Sequence, residues 1–216
     1  MSDPNLNRVE QAYRRIGSRW AWNAVAFAGF QGRESKIRRR TVEHLQLQRG
    51  DAVLDIACGR GSNFPYLERA VGAQGRIVGI DYSETMLDGA EDAVRKKGWT
   101  NVELIQGDAA EVTYRSEFDG VLCTIAMAVI PRWQEALRAT VTAARPGKRI
   151  AIMDGQRPTG LARIGTPYAY LFSRIVAAHL ERDVRGECLS LLASVREESH
   201  LFGAYFIISG TERPRG

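Results

Sequence analysis

Cysteine, histidine and lysine are scarce in this chain. Of 216 residues, three are cysteine and three are histidine, and lysine occurs only at positions 36, 96, 97 and 148. Cys58, Cys123 and Cys188 lie far apart and have no paired metal-ligand spacing, which excludes the common zinc motifs and suits a reducing cytoplasm. Long apolar runs are also missing. Nothing approaches the roughly 18 consecutive apolar residues of a bilayer span, so no transmembrane helix is expected. The start, Met1-Ser-Asp-Pro-Asn5, is polar and does not read as a signal peptide. There is no repeat, low-complexity tail or appended nucleic-acid module. Arginine is plentiful, at 26 of the 30 basic residues, and the formal net charge is +5. That charge permits phosphate-rich partners but does not require one. A chain of this length can bury a full core in one domain.

The organising stretch is Val53-Leu-Asp-Ile-Ala-Cys-Gly-Arg-Gly-Ser-Asn63. Ala52 to Ile56 reads as a buried strand carrying Asp55 near its end. A Gly-x-Gly turn follows at Gly59 and Gly61, then a helix start from Phe64 to Ala70. Strand, glycine turn and helix make the first βα unit of a nucleotide-binding sheet. The helix-start N–H groups favour an anionic group on the ligand. Cys58 reads as a small residue fitting the turn, not as a redox centre. Arg76 to Ile80 is a second strand ending in Asp81, 22 residues after Gly59. An acid there is placed to accept hydrogen bonds from both ribose hydroxyls of a nucleoside. A third strand, Val102 to Gln106, leads to Asp108, where an adenine amino group could be read. Three strand-end acids, at 55, 81 and 108, are far more specific than one Gly-x-Gly turn.

These residues resemble the class I S-adenosylmethionine-dependent methyltransferases. The resemblance is carried by Asp55-Ile-Ala-Cys-Gly-Arg-Gly61, Gly79-Ile-Asp-Tyr-Ser-Glu-Thr-Met-Leu87, Gly107-Asp-Ala109, Phe118-Asp-Gly-Val-Leu122 and Arg145-Pro-Gly-Lys-Arg-Ile150. It covers residues 8 to 210 and points to the branch of ubiquinone, menaquinone and related small-molecule and phospholipid methyltransferases. It implies an α/β, Rossmann-like sheet of seven mostly parallel strands with a final antiparallel strand, helices on both faces and an amino-terminal helical lid. Many members have Gly where this chain has Ala57; Ala is small enough that cofactor binding is expected to survive. Phe64 stands where the dehydrogenase pattern needs its third Gly, which argues against a nicotinamide cofactor. The resemblance implies that Asp55, Gly59 and Gly61 shape the methionine end of the pocket, with Ala57 and Asn63 also among the cofactor-binding residues. It further implies that Asp81 holds the ribose, Tyr82 or Met86 flanks the adenine, Asp108 and Ala109 meet its edge, and Thr124 lies near the sulfonium.

The resemblance divides the chain into a lid and first helix (1–47), a cofactor-binding core (48–154) and an acceptor cover with the last strands (155–216). Val9, Ala12, Tyr13 and Ile16 recur at helical spacing, and Trp20, Trp22, Val25, Phe27 and Phe30 continue an aromatic stretch. It reads as a lid or substrate wall, as a helix on the core edge, or as a lipid-facing surface. Family members often have Tyr-Asp where this chain has Trp20 and Ala21. Arg33, Lys36, Arg38, Arg39 and Arg40 form a basic run that reads as a solvated helix face or as a contact with anionic lipid. Ser83 to Lys97, capped by Ser83, and Trp133 to Ala144 read as helices; Phe118 to Thr124 and Arg149 to Asp154 read as strands. The loop Ile125 to Trp133 is apolar and faces the presumed site. It lacks the Asn-Pro-Pro-Tyr pattern of the amino-purine methyltransferases. Tyr168 to Arg182 reads as a covering helix, Val195 to Leu201 as a strand, and Gly203 to Gly210 as the antiparallel strand.

Methyl transfer from a sulfonium is an in-line displacement whose leaving group is already activated, so holding the partners together is most of the task, worth roughly 7–11 kcal/mol. A base helps if the acceptor is a hydroxyl or a quinol carbon. Candidate bases are His179, His200 and Tyr168, with Tyr170 and Asp154 also at the mouth; His44 reads as structural. Tyr13, Trp20, Met127 and Tyr168 are the candidate acceptor contacts. No metal site is expected. The expected function is transfer of a methyl group from S-adenosyl-L-methionine to a small amphipathic or aromatic acceptor: a quinol, a phospholipid amine or a secondary metabolite. The location is cytoplasmic, with peripheral membrane contact left open, and no nucleic-acid partner is expected. An RNA-modifying methyltransferase and a non-catalytic S-adenosylmethionine-binding subunit are the alternatives.

Overall fold

The computed structural model describes residues 6, 9–11, 13, 14, 24, 32–157, 170, 173, 174 and 176–214. Its strands are β1 (Ala52–Ile56), β2 (Arg76–Asp81), β3 (Val102–Gln106), β4 (Phe118–Thr124), β5 (Ala144–Gly155), β6 (Leu192–His200) and β7 (Tyr205–Glu212). They form one sheet in the order β3-β2-β1-β4-β5-β7-β6. β1 to β5 are parallel, and β7 runs antiparallel to both its neighbours, β5 and β6. The helices are α1 (Glu34–His44), α2 (Phe64–Val71), α3 (Glu84–Lys97), α4 (Trp133–Ala143) and α5 (Val184–Leu191). The strand order reverses between β1 and β4. Ligands bind at such a point, outside the carboxyl ends of the strands.

The core follows the two-residue alternation of buried strands. On one face Leu54, Ile56, Val78, Ile80, Val121, Cys123, Ile150 and Ile152 pack with Leu137 and Val141 of α4 and Val184 and Cys188 of α5. On the other, Val53, Ile77, Leu122 and Ala151 meet Val42, Phe64, Leu67, Leu87 and Ala90 from the helices α1, α2 and α3. Full burial of one such side chain contributes about 1.5–3 kcal/mol. Ser83 caps α3 by accepting from the Met86 N–H, and Gly98 closes it at a φ of 68°.

β1, β2, β3 and β4 run where the sequence predicts them. β5 starts earlier than expected, at Ala144, and β6 is longer than the expected 195–201. α5 has no counterpart in the sequence reading. It is eight residues long with Gly186 inside, so its periodicity is faint; its cap, Asp183 accepting from the Gly186 N–H, is the local signal. Trp20, Tyr168 and residues 169, 171, 172 and 175 of the expected covering helix lie outside the described residues; its described end, 176–182, is turn and irregular chain, not helix, with Ala177 at a helix-breaking φ of 55°.

Candidate cofactor site

One cavity of about 840 Å³, counting its open mouth, sits over the carboxyl ends of β1, β2 and β4. Ala57, Gly59, Asp81, Tyr82, Met86, Asp108, Ala109 and Thr124 line it, as does Tyr13. Asp55, Gly61 and Asn63 are absent from the lining and stand behind it.

Gly59 and Gly61 take left-handed φ of 57° and 74°. The Gly59 N–H donates to Asp81 Oδ2 at 2.8 Å, and the Ser83 N–H donates to Oδ1 at 2.9 Å. Two backbone donors thus fix the carboxylate, and each oxygen keeps lone-pair capacity for a further donor. Burial pushes the Asp81 carboxyl up to about 6, against the pull of those N–H groups. Gly61 serves packing: a Cβ there would stand 2.5 Å from the ring of Phe64. Ala57 has a φ of 53°, which explains why glycine is favoured at this position. Asp108 accepts from the Ala110 N–H at 2.8 Å and pairs with Arg132 Nη2 at 2.7 Å. It is therefore a held acceptor at the cavity rim.

The helix start is less available to an anion than the sequence suggests. The N–H groups of Gly61, Phe64 and Tyr66 donate within the turn, to Cys58 O, Gly61 O and Asn63 O. Pro65 has none to offer. A cation stands there instead. Arg38, from the middle of the basic run, is 5 % exposed and lines the cavity. Its Nη1 donates to Asn63 Oδ1 at 3.0 Å and to Thr124 Oγ1 at 2.7 Å, and its Nε pairs with Glu34 at 2.7 Å. Asn63 Nδ2 donates in turn to both oxygens of Asp55 at 3.1 Å. Asn63 sits at the cap position of α2 yet makes no cap bond, because its amide is committed to this network. Burial raises the Asp55 carboxyl to about 7, opposed by Asn63 and Arg38. Sequence reasoning missed Arg38. Its only signal was position: one basic residue of the run falls in phase with the buried Ile37 and Thr41.

The remaining candidates separate clearly. Met127, expected to face the acceptor, is 0 % exposed and packed in the core; Ala126, Val129 and Ile130 of the same loop line the cavity. The loop is held by the Ala128 N–H donating to Asp154 Oδ2 and by Arg182 donating to the carbonyls of Met127 and Ile130. Asp154 also accepts from the Gly155 N–H and is 1 % exposed, so it is an anchor for the loop; burial raises its carboxyl to about 6. His179 and His200 do not line the cavity. His179 is exposed and pairs with Glu181 at 2.9 Å, and His200 lies 3.7 Å from Glu198. His44 Nδ1 is 2.9 Å from Ser209 Oγ, at the opposite end of α1 from Arg38, as its structural reading requires. Tyr170 stacks near the Arg157 guanidinium, 6.0 Å from the ring centre, and does not line the cavity. Burial, with the Asp81 and Asp154 charges, pushes the Tyr13 phenol well up, so it stays protonated. Among the described residues no group of three or more His, Cys, Asp or Glu could hold a metal.

Residues 53–147 match a family described as "Methyltransferase domain". The demethylmenaquinone methyltransferase of Shouchella clausii is 31 % identical over 140 residues, covering 64 % of this chain and 59 % of that protein. The protein of the same name from Oceanobacillus iheyensis is 29 % identical over 167 residues, covering 76 % of this chain and 68 % of its own. The chain thus spans about three fifths to two thirds of the length of these relatives. Among solved structures, a SAM-dependent methyltransferase from Aquifex aeolicus superposes with a TM-score of 0.57 at 20 % identity, over 80 % of this chain and 87 % of that one. Residues 53–147 are thus similar to a methyltransferase domain, and the fold is similar to that of the solved methyltransferase.

Proposed function

We propose that this protein transfers a methyl group from S-adenosylmethionine to a small amphipathic or aromatic acceptor, with a quinol-like ring as the first choice. One observation carries the reading: a single cavity joins a backbone-held acid, Asp81, and a buried cation, Arg38, to an apolar wall of Ala126, Val129, Ile130 and Pro131. The residues fit the cofactor's chemistry. Asp81 would accept from the ribose, Asp108 and Ala109 would meet the adenine edge, and Tyr82 and Met86 would flank it. Arg38 would hold the methionine carboxylate, a charge-assisted contact. When bound, the cofactor supplies a methyl group already activated on a sulfonium.

The chain's own task is then to orient and to exclude water. Asn63 ties Arg38, Asp55 and Thr124 into one unit, so the cationic wall is preorganised. Tyr13, protonated, would donate a hydrogen bond to an acceptor oxygen. The apolar loop would seat a ring or short isoprenoid segment, and the names of the two relatives support a quinone-type ring. In this reading the site works in the cytoplasm and meets a lipid-borne acceptor at a membrane surface. Residues 1–47 and 155–216 then act as cover over a cofactor-binding core at 48–154. Among the described residues no helix is long and apolar enough to cross a membrane.

The test is calorimetric titration of S-adenosylmethionine into wild type and Asp81→Ala. Binding weakened tenfold or more by the substitution, about 1.4 kcal/mol, is expected. Turnover with labelled cofactor is then measured on short-chain hydroquinones, phenols and ethanolamine lipids. Folded wild type that binds no cofactor would overturn the reading.

A further inference from the structure

Residues 6, 9, 10 and 13 of the amino-terminal segment, Leu6, Val9, Glu10 and Tyr13, all contribute to the cavity wall. Leu6, Val9 and Tyr13 suit a cover over an apolar ligand. Glu10 does not. Its Oε2 atom is enclosed and has no hydrogen-bond partner among the described residues. An enclosed carboxylate oxygen without a donor is costly, because it has lost water and gained nothing in its place. It also stands close enough to Asp81 for its charge to raise the Asp81 carboxyl. Two carboxylates facing one space repel. Arg14 lines an adjoining opening that Glu10 shares, without hydrogen-bonding Oε2. That opening is formed with Tyr82, Gly107 and Asp108, which places Glu10 at the nucleoside end of the cavity and away from the apolar loop.

A ligand that resolves this arrangement must bring hydrogen-bond donors to both acids at once. A ribose does so with two adjacent hydroxyls. We infer that Glu10 is a second ribose-holding residue, sharing the cofactor's two hydroxyls with Asp81. The inference rests on the cofactor assignment above and extends it. Glu10 belongs to the amino-terminal segment, while Asp81 belongs to the sheet. The ribose would therefore be held from the amino-terminal segment and from the sheet together.

The test uses S-adenosylhomocysteine and its 2′-deoxy and 3′-deoxy analogues as titrants, with wild type, Glu10→Ala and Glu10→Gln. Glu10→Ala is expected to weaken the ribose ligand about tenfold, or 1.4 kcal/mol. Against the one analogue lacking the hydroxyl that Glu10 holds, wild type and variant should bind alike. Glu10→Gln keeps an acceptor oxygen and the side-chain shape, and should lose only a few-fold. An equal loss against all three ligands would mean a merely structural role, and no loss against any would mean no contact; either overturns the inference. Wild type that fails to bind S-adenosylhomocysteine would defeat the cofactor reading itself, which keeps the two failures apart.

Discussion

Asp81 shows what one residue does here and how it can be read. Its value as an acceptor depends on ionisation, and burial has raised its carboxyl to about 6. In the proposed function the ionised form would accept from the ribose. Affinity for S-adenosylmethionine should therefore be full above about pH 6 and fall as the pH drops through that value, approaching tenfold per pH unit. Asp81→Asn should flatten that slope in a calorimetric pH series. Ala57 makes a different point. Its left-handed φ costs an L-residue roughly 1–2 kcal/mol. Ala57→Gly should recover about 1 kcal/mol after the entropy of glycine is offset, raising the melting temperature by roughly 2–4 °C. Asp81 was legible because an acid at a strand tip has few reasons to be there. The strain at Ala57 was not, because a dihedral angle is set by the surrounding turn.

At the scale of elements, each parallel strand delivers its functional group at its carboxyl end, and the loop beyond completes it. β4 ends at Thr124, and the next residue, Ile125, is held at a φ of 60°, an uncommon state for a β-branched side chain. This sharp turn brings Ala126, Val129 and Ile130 over the site. Helix α1 is where the sequence misled most. Its basic run reads as a solvated or lipid-facing surface, and Arg33, Lys36 and Arg39 are indeed exposed. Arg38 turns inward, because a helix with Ile37, Thr41 and Leu45 against the sheet must point an adjacent residue toward the cavity. Arg38→Met keeps the bulk of the stem and removes the charge. Cofactor affinity should drop by more than tenfold in calorimetry. Thermal stability should also fall, since Glu34, Asn63 and Thr124 each lose a donor, at about 1 kcal/mol or more per bond.

Across the whole molecule, the sheet's far edge is tied to the helix that carries Arg38. Arg40 of α1 grips Glu198 of β6 through Nε and Nη2, the shortest contact being 2.6 Å, and His44 Nε2 lies 3.0 Å from the same carboxylate. Hydrogen bonding from Arg40 is the largest influence holding the Glu198 carboxyl down to about 2, with the His44 ring beside it. The stabilisation is present above the usual glutamate range and lost as the pH falls toward 2. Arg40 is 38 % exposed, so solvent screening reduces the effect. Glu198→Gln should cost about 1 kcal/mol and lower the neutral-pH melting temperature by roughly 2–4 °C, with the gap narrowing on acidification. β6 itself was hard to read: an edge strand rich in Arg and Glu carries no apolar alternation, and charge there guards against edge pairing. The sequence alone determined the parallel core, the glycine turn and the strand-end acids, because burial period and backbone freedom are written locally, residue by residue. Only the tertiary structure decided that Arg38, Asn63 and Asp55 form one buried unit, that Met127 belongs to the core, and that Glu10 faces Asp81. Those facts depend on what a side chain meets once distant segments have packed; phase along α1 marks the side on which Arg38 lies but not its partners.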